Sequence, residues 1–228
     1  MPSNTDPILI SLETSATATL IIFFLGLAAA YWRVRSGTAA SRLMDALFVM
    51  PLVLPPTVVG YLLLLLLGRG GPAGRALEAL GLNVLFTWPS TVIAATVVAF
   101  PLMYLSCRGA LQQTPSGFAQ AARTLGAGEW TVFWKITLPL AWPGILAGTV
   151  LAFARALGEF GATLMLAGNI PGRTQTLPIA IFFAAEAGEM RQALAWVLVT
   201  VGISAVAIGL LNAWGRVGAA GTVLSRRG

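Results

Sequence analysis

Apolar positions in this chain neither alternate nor recur on one face. They come in long runs, about 12–31, 47–67, 90–106, 140–166 and 193–214, parted by short polar stretches. Crossing a hydrocarbon core of ~30 Å takes roughly 20 apolar residues as a helix rising ~1.5 Å per residue. The pattern therefore predicts an all-α integral membrane protein, a single domain over 1–228 with about five transmembrane helices. The first run ends at Tyr31 and Trp32, with Arg33 and Arg35 following. The second contains Pro51, Pro55 and Pro56, which would break a soluble helix. In a bundle, neighbouring helices and hydroxyls such as that of Thr57 satisfy the freed carbonyls, so one span is expected. A Gly-rich loop follows, from Gly68 to Gly74. The fourth run starts near Pro139 and carries Gly158, Glu159 and Gly161 inside it. The stretch 176–188 is apolar but short, and reads as a re-entrant or interfacial helix, with a sixth crossing as the alternative.

Composition agrees with a lipid solvent. Of 228 residues, 57% are hydrophobic and 10% charged, against about 25% charged in soluble domains. The net charge of +6 does not form a basic patch interleaved with aromatics, so no nucleic-acid partner is expected. The cations flank the apolar runs and set topology. Nine of them, Arg33, Arg35, Arg42, Arg108, Arg123, Lys135, Arg216, Arg226 and Arg227, fall on one side. Arg69, Arg75, Arg173 and Arg191 fall on the other. The positive-inside rule then places the N-terminus outside and the C-terminus in the cytoplasm. Trp32, Trp88, Trp196 and Trp214 sit at span ends, where an interfacial belt belongs. No basic residue precedes the apolar run within Met1 to Ile10, so the first segment is expected to be retained rather than cleaved.

Missing residue types narrow the chemistry. There is no histidine and one cysteine, Cys107, which removes Ser–His and Cys–His nucleophilic sites, histidine-based zinc sites and any intrachain disulfide. The carboxylates are scattered, so no metal site and no catalytic residue is predicted. The sole lysine, Lys135, follows Trp134, and no G-x-x-x-x-G-K-[ST] loop exists to hold ATP phosphates. An intramembrane enzyme would have only Arg155 and Glu159 to work with. Uphill transport by this chain needs energy from a partner.

The polar stretch 108–138 carries the sharpest local pattern. Pro115 and Ser116 offer a helix start; Phe118, Ala121, Ala122 and Leu125 recur at helical spacing; Gly126 stands where such a helix would close. A second stripe, Trp130, Phe133 and Trp134, leads on to Ile136, Leu138 and Pro139. Periodicity alone leaves two readings open, a helix lying flat on the membrane and a helix docking in a partner's groove.

Gln120-Ala121-Ala122, then Gly126, then Ile136-Thr137-Leu138-Pro139 resembles the E-A-A…G…I-x-L-P motif of ABC importer permeases, with Gln120 in place of the glutamate. The resemblance implies a type I ABC importer permease fold in which this loop forms a coupling helix seated in a cleft of an ATPase subunit. Small Ala121, Ala122 and Gly126 would then allow close approach. The Gln120 departure keeps size and loses charge, so docking is expected to survive. Further stretches are similar to molybdate permeases: Pro51 through Pro55-Pro56 to Gly60-Tyr61, Ala99 to Met103, Phe153 to Thr163, and Gly168 to Gly172 with Thr176 to Pro178. Sulfate/thiosulfate permeases share the Leu157-Gly158-Glu159-Phe160-Gly161 piece, and tungstate is nearly the size and charge of molybdate. The implied assembly has two copies of this chain, two ATPase subunits carrying ATP and Mg, an extracytoplasmic molybdate-binding protein, and the lipid of the inner membrane. This chain itself would bind no cofactor. A channel working without ATP is a remote alternative, in which the E-A-A-like loop would have no purpose.

Two features of the fourth run complete the candidates. Gly144, Gly148, Ala152 and Ala156 recur every fourth residue, a small-residue face for close helix packing; it fits a contact between two permease copies or packing within one chain. Arg155 and Glu159, one turn apart, are charges inside a span, where they are costly and usually face a cavity or a partner. Arg155 would attract a dianion while Glu159 limits its grip, or the pair ties this helix to a neighbour.

Overall fold

The computed structural model describes residues 5–36 and 38–224, with side chains as far as Gly209, Ala39 excepted. Met1 to Asn4, Arg226 and Arg227 lie outside the described residues, as do the side chains of Trp214 and Arg216. Every regular element among the described residues is a helix: α1 (Asp6–Arg35), α2 (Ala39–Val53), α3 (Pro56–Leu67), α4 (Pro72–Ala79), α5 (Trp88–Gln112), α6 (Ser116–Thr124), α7 (Glu129–Val132), a π-helical turn (Phe133–Thr137), α8 (Leu138–Leu157), α9 (Gly161–Ala167), α10 (Leu177–Glu186) and α11 (Met190–Leu224). Four continuous stretches are long and apolar enough to cross a membrane: Asp6–Arg35, Trp88–Gln112, Glu129–Leu157 and Met190–Gly209. The bent pair α2–α3 makes a fifth if it is counted as one.

α5 is the axis of the molecule. It packs against α1 and α8, and also against α2, α3 and α9. Its buried residues include Ala95, Ala99, Met103, Tyr104 and Cys107, which join Ala18 and Ile22 of α1 and Ile145 and Ala152 of α8 in the main apolar cluster. Small side chains at these contacts let backbones approach closely, which is how helices associate where lipid supplies no hydrophobic drive. Hydroxyls add to the seam: Thr14 of α1 and Thr91 of α5 are hydrogen-bonded at 2.8 Å. A second cluster joins Val59 of α3, Ala94 and Val98 of α5, and Ala162 and Leu166 of α9.

Two expected spans are broken. The run 47–67 divides into α2 and α3, which meet at 117°. Leu54 precedes Pro55 and Pro55 precedes Pro56; both hold extended backbone, with ψ of 142° and 137°. A residue before proline is driven out of the α region, and two in succession outweigh any repair by neighbours. The run 140–166 divides as well: α8 ends at Leu157, the chain turns through Gly158, Glu159 and Phe160, and α9 lies against α3 and α5. The two breaks touch, since a Cβ on Gly161 would meet Thr57 Cγ2 at 3.0 Å and a Cβ on Gly60 would meet Ala162 Cα at 2.7 Å.

Other boundaries shift too. α5 runs on to Gln112 and the next long helical stretch begins at Glu129, so the part outside long helices, which holds α6, is 113–128 rather than 108–138. The Gly-rich loop expected after the second run contains the short helix α4. The ten residues of α10 rise about 15 Å, half of a hydrocarbon core. Its first turn is capped from α1, where Ser11 Oγ accepts a hydrogen bond from Leu177 N–H at 2.6 Å.

Candidate site at the α6 end of the bundle

α6 projects from one end of the bundle with none of its residues buried. It closes as the motif's glycine suggests. Gly126 has φ +84°; its N–H donates to the Arg123 carbonyl at 2.9 Å, and Ala127 N–H donates to the Ala122 carbonyl at 3.0 Å. That pair of bonds is a Schellman motif, which satisfies the last carbonyls and needs a left-handed residue at its apex. Phe118, Gln120, Ala121, Leu125 and Gly126 are exposed and Ala122 is half-buried; Leu125 is 88% exposed. The other half of the motif is placed differently. Ile136 lies half-buried in the π turn, Leu138 is buried in the main cluster, and Pro139 is exposed. Of the nine coupling candidates, only those in 118–126 sit together on α6 and its cap.

The π turn has a local cause. Pro139 has no N–H to donate to the carbonyl four residues back, and the N–H of Leu138 reaches instead to the Phe133 carbonyl. The turn gathers Trp130, Phe133 and Trp134, with ring centroids 5.4–6.5 Å apart and Trp134 edge-on to the other two. Phe133 is the buried member and meets Tyr31 of α1 at 4.3 Å, while Trp130 is 73% exposed.

Two carboxylates organise the charge at this end, and neither was singled out from sequence. Glu129 receives Arg123 of α6 through Nε at 2.6 Å and Nη2 at 3.3 Å, and its Oε2 lies 2.8 Å from Arg35 Nη2 of α1. Arg35 in turn donates to the Tyr31 hydroxyl and lies over the Tyr31 ring. Asp45 of α2 accepts from Tyr104 at 2.6 Å and from Arg108, both on α5, and sits 3.6 Å from Arg33 of α1. The last turn of α1 is thus tied through Arg35 to α6 and through Arg33 to α2 and α5. The signal in the sequence was available: acidic residues are rare in a segment set rich in arginine, and each such carboxylate draws its neighbours in.

Arg155 and Glu159 do come together. Glu159 is 2% exposed, and its Oε2 lies 2.8 Å from Arg155 Nη1, off the line of a good hydrogen bond. Its Oε1 accepts from Ala162 N–H at 2.8 Å. One carboxylate therefore neutralises the arginine at the end of α8 and caps the start of α9. This arrangement spans the break between the two helices. The small-residue face lies against α5 of the same chain: a Cβ on Gly144 would meet Ala110 Cβ at 2.6 Å, and one on Gly148 would strike Ser106. Ala152 and Ala156 are buried in the same cluster. The contact between permease copies expected as one reading of that face is displaced by α5. Among the described residues, no three metal-ligating side chains converge.

The sequence matches, over residues 22–216, the family described as binding-protein-dependent transport system inner membrane component. It is 49% identical over 183 residues to the molybdenum transport system permease protein ModB of Escherichia coli, covering 78% of this chain and 80% of that one. With ModB of Haemophilus influenzae the identity is 41% over 207 residues, covering 90% of each. Among solved structures, a chain of an inward-facing MetNI methionine ABC transporter superposes with a TM-score of 0.70 at 16% identity, covering 92% of this chain and 94% of that one. A chain of a bacterial ABC transporter that imports alginate superposes with a TM-score of 0.78 at 16% identity, covering 95% and 80%.

Proposed function

Because the chain belongs to the family of binding-protein-dependent transport system inner membrane components, we propose that it is the membrane-spanning permease of an ATP-driven molybdate importer. The observation that carries the coupling part of this reading is α6 itself. A nine-residue helix with no buried face is marginal alone in water, yet this one is closed by a complete Schellman motif and pinned by Arg123 to Glu129. Such a helix fits a surface built to be covered. The molybdenum permeases that share close to half of its residues favour molybdate as the cargo. Tungstate, with nearly the same size and charge, would pass by the same route.

In this reading two copies of the chain associate with two ABC ATPase subunits, which bind ATP and Mg, and with an extracytoplasmic molybdate-binding protein. The α6 end faces the cytoplasm. ATP binding closes the ATPase pair, α6 moves with it, and the membrane helices alternate between outward and inward openings. The chain contributes no nucleotide chemistry. Phe118, Gln120, Ala121, Ala122, Leu125 and Gly126 make the docking surface. Arg155, neutralised by Glu159, holds the α8–α9 break rather than gripping the anion, since a transported ion must also leave.

The test is co-expression with the ATPase subunit. Wild-type chain should retain it through purification and hydrolyse ATP faster when the molybdate-loaded binding protein is added. Ala122→Asp places a charge on the docking face, and Gly126→Val forces a β-branched residue into left-handed backbone at a cost of about 1–2 kcal/mol. Both should lose the ATPase while the permease still folds. Normal co-purification of both variants would refute the assignment of α6.

A further inference from the structure

We propose that Glu129 is the positioning residue that passes movement of α6 on to α1. The inference rests on the reading of α6 as the ATPase-docking helix. Backbone links α6 forward to α7 and α8 through Gly126, Ala127 and Gly128, and back to α5 through 113–115. No backbone links it to α1, so only side chains can carry displacement there. Glu129 makes that link with both oxygens: Oε1 is 2.6 Å from Arg123 Nε, and Oε2 is 2.8 Å from Arg35 Nη2.

The α1 side of the link is braced. Arg35 lies over the Tyr31 ring at 5.2 Å from its centroid and donates to its hydroxyl. The same ring packs on buried Phe133. In the same last turn of α1, Arg33 faces Asp45, which also holds Tyr104 and Arg108. A shift of α6 taken up by Arg35 therefore reaches α2, which leads into the α2–α3 bend, and α5, the axis of the bundle. The members of the Glu129 cluster are about half exposed, and exposed ion pairs contribute little stability. What the cluster supplies is a fixed distance between α6 and α1. Loss of it should leave the fold intact and uncouple the two ends.

The experiment uses the complete complex in proteoliposomes and reads molybdate taken up per ATP hydrolysed, together with ATPase co-purification. Glu129→Gln keeps volume and removes the charge that holds two arginines. It should retain the ATPase and lower uptake per ATP by about two- to thirtyfold, the range expected when a coupling contact is cut. Glu129→Asp should recover at least about half of that loss, and Arg35→Gln, which cuts only the α1 side, should reproduce it. An unchanged ratio in Glu129→Gln or in Arg35→Gln overturns the inference, as does an aspartate no better than the glutamine. Loss of the ATPase from Glu129→Gln also overturns it, because the residue would then belong to docking. If the wild-type chain itself retains no ATPase, the reading of α6 has failed, and the inference falls with it.

Discussion

A methyl group has no room at Gly60. Its Cβ would lie 2.7 Å from Ala162 Cα and 2.9 Å from Met165 Cβ, so backbone, not a pliable side chain, blocks it. Gly60→Ala should push α3 off α9 and cost about 1–3 kcal/mol, seen as earlier thermal unfolding of the purified protein in detergent. Gly70→Ala, which meets nothing within 4 Å, should be silent in the same assay. Glu159 offers a graded case, because it both faces Arg155 and caps α9. Glu159→Gln keeps an acceptor for Ala162 N–H and loses the charge; Glu159→Ala loses both and leaves a buried donor unmet, worth about 1–3 kcal/mol more. Equal stability of the two variants would contradict the capping role. At this scale the sequence was readable where a motif or a forced conformation marks the residue, as at Gly126. At Glu129 and Asp45 it offered only the scarcity of carboxylates among arginines, because partners such as Arg35 and Arg108 lie far along the chain.

Apolar runs located the helices well and their breaks poorly. Both halves of 47–67 and of 140–166 are lipid-like, so hydropathy sees no boundary at Leu54 or Gly158. The bend at Pro55 was in fact written in the local rule that a residue before proline avoids the helix, which two adjacent prolines apply twice. The break at Gly158–Phe160 has no proline, and depends on Glu159 capping α9 and on Gly161 packing against α3, which no single-chain pattern reveals. Where α1 meets α5, by contrast, the contact follows from small and hydroxyl-bearing residues visible in the runs. The Thr14–Thr91 bond joins these helices, although Thr91 also reaches the Trp88 carbonyl. A double-mutant cycle with Thr14→Val and Thr91→Val, read by unfolding in mixed micelles, should give a coupling of about 0.6 kcal/mol. A value above ~2 kcal/mol would mean that the seam, and not the apolar packing, sets the α1–α5 contact.

For the molecule as a whole, charge and membrane direction are one problem. The arginines of the α6 end, Arg33, Arg35, Arg108 and Arg123, gather where the two carboxylate clusters lie, and together with Arg42 and Lys135 they outnumber Arg69, Arg75, Arg173 and Arg191. A reporter fused to the C-terminus should therefore be active only as a cytoplasmic fusion; activity of a periplasmic reporter there would reverse the whole assembly, docking surface included. The widened turn at Phe133–Thr137 governs how the two ends are aimed at each other. A π turn is in effect one extra residue threaded into a continuous helix, and each residue advances an α-helix by about 100°. The turn thus works like a shim in a shaft: its wider ring takes up the extra residue, so the aromatic teeth at Trp130 and Trp134 and the glycine–alanine flat of α8 keep their alignment. Deleting one residue there, Ile136 for instance, should let the segment close as ordinary α-helix with the flat still on α5, whereas adding a further residue would swing the flat about 100° away and turn a rigid lever into a misaligned one.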